Sequence, residues 1–315
     1  MTKISNNSTV SFCIKGKIMY KKMPLVALSL MAMLTLPNKS LAETVIERVA
    51  RTGVLNVSTR VDLVPYAYVN DEDELVGYSV ELIELIRETL AQEIGKDVQI
   101  KVIVDDSLDE RISSLLNREV DIACDTTFTW QRDRFVDFSL AYGVSGIKVF
   151  VKEDSNLSSP DSFKNKRIAI IESVLSPESI KVIESQVTVV DVDSIEAGIK
   201  AVEDGEVDGF AFDGTILEGT RQTLTNPNAY KVVPDESYFK HGIACMVPEQ
   251  DSTFLNLVNL TIGKLMDGYI RGDSRYVEMV NRYFGEEGIV PFEPARIKDF
   301  FEIIIITREQ IPPEQ

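Results

Sequence analysis

Short apolar strands alternate with amphipathic helices in this chain, then the alternation stops and starts again. No other feature limits the possible folds as much. In the first series, Val54 to Thr59 reads as a strand. Tyr78 to Ile94 places Leu82, Leu85, Ile86, Leu90 and Ile94 on one helical stripe, and Gly95 ends it. Val98 to Val104 is a second strand, Leu108 to Asn117 a helix and Ile122 to Cys124 a third strand. In the second series, Arg167 to Ile171, Val187 to Val192 and Gly209 to Phe212 read as strands. Pro177 to Glu184 and Ile195 to Glu203 read as the helices between them. Strands separated by helices predict an α/β fold with crossover helices joining parallel strands. One passage occurs in both series. LLNREVDIACD (Leu115 to Asp125) and IKAVEDGEVDGFAFD (Ile199 to Asp213) both run from helix through Glu-Val-Asp into an apolar strand ending on an acid. The expectation is two related lobes that face each other across a cleft, with ligand beyond the carboxyl ends of the strands.

The junctions set provisional boundaries. Ile147 to Val151 and Ile243 to Val247 are extended and apolar, and each is followed by polar or Pro-containing chain. They are expected to cross between lobes. Two further striped helices, Thr253 to Ile270 and Ser274 to Phe284, are expected to return to the first lobe. Lobe one then holds 43–149 and 248–290, lobe two holds 150–247, and 291–315 is a tail without an assigned role. Two crossings make a hinge that bends but does not slide. The run Ile303 to Ile306 is far short of a membrane span.

Residues 1–42 hold six lysines and no acid. Lys21 and Lys22 precede an apolar run from Leu25 to Leu36, and Ser40-Leu41-Ala42 ends on a small residue. That is the pattern of a secretory signal peptide cleaved near Ala42. The run is short for a membrane anchor, the alternative reading. Met19 would open a more compact leader than Met1 does. Losing six of 33 basic residues and none of the 50 acidic ones takes the formal charge from −17 to −23. Such a charge argues against nucleic acid and anionic membrane as partners. It does not exclude a small anion, because a few buried arginines can set the potential inside a cleft.

With the leader removed, Cys124 and Cys245 are the remaining cysteines. In an oxidising compartment they could pair if their Cα atoms come within about 7 Å. The favoured expectation is two buried thiols. His241 has no partner at metal-ligand spacing, so it reads as structural or as cleft lining, and no metal or other cofactor is expected.

The passage Asp125-Thr126-Thr127-Phe128-Thr129-Trp130-Gln131-Arg132 joins the third strand to a helical start between Gln131 and Phe135. Hydroxyls and free N–H groups at a strand end, followed by an arginine fork, can hold a carboxylate. A plain surface turn is the competing reading.

Several passages in order then resemble a known family. They are Gly53-Val54-Leu55, Pro65-Tyr66-Ala67-Tyr68, Gly77-Tyr78-Ser79, Asp121 to Thr127, Arg132, Asp137-Phe138-Ser139, Gly205-Glu206-Val207-Asp208, Phe212-Asp213 and His241 to Ala244. The set, over about 50–285, resembles the periplasmic amino-acid-binding proteins of ABC importers, extracellular solute-binding protein family 3, and most nearly their glutamate/aspartate binders. The resemblance implies a two-lobed periplasmic binding protein fold of type II. Each lobe is a mixed, mostly parallel sheet flanked by helices, and two crossover strands join the lobes. It implies a non-enzymatic monomer that takes an amino-acid ligand in the periplasm and docks on a membrane ABC permease.

It also implies roles for residues. Thr127 and Arg132, with Thr126 beside them, take the α-carboxylate, and Asp213 takes the α-ammonium. Tyr66 covers the ligand stem or caps the ammonium through its ring face. Arg60 and Arg111 match positions that reach an acidic side chain. A neutral ligand would leave such arginines unpartnered, although Asp106 could compensate. The sequence departs from the family pattern at Glu172-Ser173-Val174-Leu175-Ser176, where a Gly-Thr or Gly-Ser-Thr turn is usual. Ser173 and Ser176 remain possible donors there. The loop Asp191-Val192-Asp193-Ser194 lacks the histidine of the glutamate/aspartate subgroup. Two other functions stay open. One is a dehydratase acting on prephenate or arogenate, held by the three arginines with Glu172 as general acid. The other is a sensory or structural ligand-binding module.

Overall fold

The computed structural model describes residues 43–105 and 107–307. The expected signal peptide, its cleavage point and Asp106 lie outside the described residues. The chain begins with α1 (Val45–Thr52), capped by Thr44 and Glu47 in a reciprocal box and ended by Gly53 at φ 75°. β1 (Val54–Thr59) follows. β2 (Asp62–Leu63), β3 (Ala67–Val69) and β4 (Leu75–Val76) form a small antiparallel sheet. Next come α2 (Tyr78–Ile94), β5 (Gln99–Val104) and α3 (Leu108–Leu116), whose cap is Ser107 with Glu110. β6 (Ile122–Thr127) leads through one 3-10 turn at Arg132–Arg134 into β7 (Val136–Phe138) and the long β8 (Gly143–Lys152).

The second series is β9 (Arg167–Ile170), α4 (Pro177–Ile183), β10 (Thr188–Asp191), α5 (Ile195–Glu203), β11 (Gly209–Asp213) and α6 (Gly214–Thr223). β12 (Tyr230–Pro248) returns along β8, and α7 (Ser252–Arg271), α8 (Ser274–Phe284) and α9 (Pro294–Thr307) complete the described chain.

The main sheet has the order β10-β9-β11-β8-β12-β6-β1-β5, with β7 also on β12. β1 pairs in parallel with β5 and β6, and β9 pairs in parallel with β10 and β11. β8 and β12 run antiparallel to each other at the centre, between the two parallel groups. The carboxyl ends of β1, β6 and β11 carry Arg60, Thr127 and Asp213, which places the candidate residues. Among the described residues no helix is long and apolar enough to cross a membrane.

Specific contacts hold α7 to α1 and α2, and α9 to α7. Asp251 caps α7 and its Oδ2 accepts from the Val45 N–H at 2.6 Å. Thr261 on α7 donates to Thr89 on α2 at 3.1 Å. α9 covers α7 through Phe301, whose ring meets Tyr269 edge-on at 5.4 Å. The tail after 291 thus contains a packed helix, where the sequence assigned no structure.

The cysteines correct an expectation. Cys124 and Cys245 form a disulfide with Cα atoms 3.8 Å apart. They are not two separate buried thiols. β6 and β12 are antiparallel neighbours, and an irregularity in register between Ala244 and Met246 sets the two side chains facing. That adjacency joins positions 121 residues apart, a tertiary fact invisible in the spacing.

Candidate functional site

Arg111 lies in the first turns of α3 and is only 3 % exposed. A guanidinium taken from water needs partners, yet its Nε and Nη2 are buried with none. Burial pulls its pKa down. The strongest compensating charge is Asp125, and the positive charge of Arg60 adds to the depression. Arg132 in the 3-10 turn is also lowered, by burial and then by Arg111. Three arginines from three separate segments therefore share one electrostatic neighbourhood.

Two of them already have partners. Arg60 Nε donates to Asp62 Oδ1 at 2.7 Å. Arg132 Nη1 donates to the Thr127 carbonyl at 2.8 Å, which ties the arginine to the end of β6. Strand alternation separates the two threonines. Thr127 is half-buried, while Thr126 is buried and turns its hydroxyl toward the Cys124 carbonyl at 3.4 Å. The Thr127 carbonyl is the atom beside Arg132, and the two threonine side chains leave β6 on opposite faces.

Asp125, one residue earlier, has φ 63° in the left-handed region. Its N–H donates to the Tyr142 hydroxyl at 2.9 Å, and that hydroxyl donates to Asp125 Oδ1 at 2.9 Å. Ser79 Oγ also donates to Oδ1. Oδ2 is buried without a partner. Burial raises the Asp125 pKa, against the opposing pull of Arg111, Ser79 and Tyr142. This acid was quoted in the motif but given no role. Its one sequence signal is an acid at the end of an apolar strand.

Asp213 ends β11 and caps α6. Its Oδ1 accepts from the N–H groups of Thr215 at 3.0 Å and Ile216 at 3.1 Å, and from Ser145 Oγ at 2.7 Å. Its Oδ2 lies 2.9 Å from His241 Nε2. His241 Nδ1 lies 3.1 Å from the Phe239 carbonyl. Both ring nitrogens therefore face acceptors, an arrangement that suits the imidazolium. Burial opposes that charge, but the Asp213 hydrogen bond and charge outweigh it, and the His241 pKa is raised. Arg132 acts on the same ring as a repelling charge, which places the Asp213–His241 pair near the arginine cluster.

Tyr66 is fixed by its backbone. Gly77 at φ 136° sits so close to the Tyr66 carbonyl that any Cβ would overlap it, and Ser79 N–H donates to the same carbonyl at 2.9 Å. The Tyr66 ring packs on Phe284 at 5.9 Å. Burial and the Asp213 charge push its pKa well up. Nearby, α6 rests on the Val64–Pro65 turn, where Gly219 leaves no room for a Cβ beside the Val64 carbonyl.

Ser173 and Ser176 are exposed. Ser176 caps α4, accepting from Ser179 N–H at 3.3 Å. No hydrogen bond among the described residues links either serine to the arginines. A cavity of about 410 Å³ between β8, β12, α6, α8 and α9 adjoins these groups, with Tyr66, Tyr142, Ser145 and Thr215 on its wall. Among the described residues no group of three or more His, Cys, Asp or Glu side chains could hold a metal ion.

The assembled site can hold a small zwitterion. It offers a cationic cluster with unused donors on one side and a buried carboxylate with a histidine counter-ion on the other. The chain is similar to known proteins in sequence and in fold. The profile of the bacterial extracellular solute-binding proteins, family 3, matches residues 55–286. The "Glutamate/aspartate import solute-binding protein" of Escherichia coli (strain K12) is 25 % identical over 230 residues, covering 71 % of this chain and 76 % of that protein. The "Glutamine-binding protein" of Geobacillus stearothermophilus is 26 % identical over 198 residues, covering 62 % and 72 %. Among solved structures, the ancestral amino-acid-binding protein AncCDT-1, titled a precursor of cyclohexadienyl dehydratase, has a TM-score of 0.64 at 19 % identity. It covers 77 % of this chain and all of that one, and the likeness is one of fold.

Proposed function

This chain belongs to the bacterial extracellular solute-binding proteins of family 3, and from that membership we propose that it captures an acidic amino acid, glutamate or aspartate, and delivers it to a membrane ABC permease. One observation carries the acidic specificity. The charge of Arg60 opposes that of buried Arg111, the charge of Arg111 opposes that of Arg132, and Arg111 keeps two donors without partners. An anionic side chain would supply what they lack.

In this reading Arg132 and Thr127 take the α-carboxylate. Asp213 takes the α-ammonium and exchanges His241 for it. Tyr66 lies against the aliphatic stem. The lobes are 43–149 with 248–290, and 150–247, and they close by bending β8 and β12. Ligand free energy shifts the open–closed population. A micromolar affinity corresponds to about 8 kcal/mol, within reach of several charged contacts in a drying cleft. The names of the two curated relatives support an amino-acid ligand. The family description supports an extracytoplasmic location, which we take as the periplasm.

The dehydratase alternative needs a general acid in the cleft. Its candidate, Glu172, has an exposed side chain, and its N–H donates to Asp191 at 3.0 Å. Nothing in that setting prepares the carboxyl for proton transfer. The test of the proposal is calorimetric titration with the common amino acids. Glutamate or aspartate should bind most tightly. If neither binds, and Arg60→Ala changes no affinity, the acidic assignment is wrong.

A further inference from the structure

Asp125 Oδ2 and Arg111 Nε and Nη2 are all buried without a partner, and no ion pair within 4.0 Å joins the two residues. Each is nonetheless the other's strongest opposite charge. An unused acceptor and unused donors with no partner of their own can be met by one ligand group that both accepts and donates, or by two acids that share a proton. The geometry points to a ligand gap between them and to Asp125 as a proton-linked specificity determinant: an acidic side chain enters this gap together with one proton, which Asp125 Oδ2 carries, whereas a carboxamide side chain enters with none. This rests on the acidic-ligand reading above.

The reasoning is one of charge and valence. A ligand carboxylate facing Arg111 accepts from the guanidinium with one oxygen. Its second oxygen would meet Asp125 Oδ2, and two ionised carboxylates cannot share such a gap. One proton drawn from the buffer onto Asp125 turns that repulsion into an O–H···O⁻ bond. A carboxamide satisfies both ends as it stands, its C=O accepting from Arg111 and its NH₂ donating to Asp125.

Several groups face the carboxyl. Ser79 on α2 and Tyr142 before β8 hold Oδ1, Arg111 comes from α3, and Tyr66 feels its charge. Arg60 and Asp105 act on Arg111 in turn. Burial raises the Asp125 pKa, the direction that favours the added proton. His241 can release a proton when a ligand ammonium reaches Asp213. It does so for acid and amide alike, and the difference between the two ligands removes it.

The experiment is titration calorimetry of L-glutamate and L-glutamine into the mature wild-type protein. It is run in phosphate and in Tris, whose ionisation enthalpies differ, from pH 6 to 8.5. Glutamate should take up close to one more proton than glutamine at the upper end of the range. The glutamate-to-glutamine affinity ratio should fall by up to tenfold per pH unit as pH rises. In Asp125→Asn the extra proton and the pH slope should vanish, and glutamate at pH 8 should bind at least tenfold more tightly than to wild type. Equal proton counts for the two ligands in wild type overturn the inference and leave the functional reading standing. An Asp125→Asn protein that keeps the difference also overturns it. If that variant does not fold, the wild-type subtraction decides alone. Absence of any amino-acid binding sinks both readings.

Discussion

His241 Nε2 stands 2.9 Å from Asp213 Oδ2, so the acid assigned to the ligand ammonium already holds a cation from its own chain. The arrangement avoids leaving a buried carboxylate bare when no ligand is present. It also connects binding and stability to a group that titrates near neutral pH.

The first prediction concerns stability against pH. The folded His241 pKa is raised above its ordinary value of 6.5. A raised folded value means the stabilisation is complete below that ordinary value and is lost as pH rises through the folded one. The ion pair is largely buried, with side chains 16 % and 10 % exposed, and a hydrogen bond to a charged group contributes about 1.5–3 kcal/mol. The melting-temperature gap between wild type and His241→Ala should be widest near pH 6 and close by pH 9. A gap that does not change with pH would refute the ion-pair reading.

Arg132 should be the most sensitive of the three arginines to substitution. Removing one member of a desolvated charge pair costs about 2–5 kcal/mol of binding. Arg132→Met should therefore weaken the best amino-acid ligand by about thirtyfold or more in calorimetry. Arg132→Lys keeps the charge but not the planar fork, and should still lose at least tenfold. Near-wild-type binding by the methionine variant would remove Arg132 from the site.

The disulfide should be a major support of the fold. It closes a separation of 121 residues, and loss of a native bridge over a long loop costs about 2–5 kcal/mol. Cys124→Ser with Cys245→Ser should lower the urea midpoint, and dithiothreitol should lower the wild-type midpoint in the same way. Identical midpoints with and without reductant would show that the bridge contributes nothing.

Gly219 tests closure. A Cβ at this position would overlap the Val64 carbonyl oxygen, so Gly219→Ala should push α6 off the Val64–Pro65 turn. We expect amino-acid affinity to fall more than tenfold and the scattering radius of the ligand-saturated protein to rise, with the melting temperature changed by only a few degrees. Unchanged affinity would mean that α6 need not touch this turn for ligand to be held.

Local patterns were legible where one element decides its own form. The helix over Tyr78–Ile94 was readable end to end because its apolar stripe is long and Gly95 stops it at φ 68°. The α5 helix was readable for the same kind of reason, with Ser194 as its cap. β6 runs on to Thr127 and β12 begins at Tyr230, both well beyond the apolar runs that announced them. Their polar ends are strand only because β8 and β12 supply backbone partners there. The α6 helix, directly after Asp213, went unread because it begins Gly-Thr and carries no long stripe.

By itself the sequence determined the alternation of strand and helix, the order of the motifs and the placing of arginines at strand ends and helix starts. These follow from side-chain periodicity and local backbone preference, which act over a few residues. Tertiary structure alone decided that Cys124 meets Cys245, that His241 faces Asp213, and that Asp125 supplies a counter-charge to Arg111. Each of these joins groups from separate segments, and burial then makes the strength of the interaction depend on which charges end up side by side.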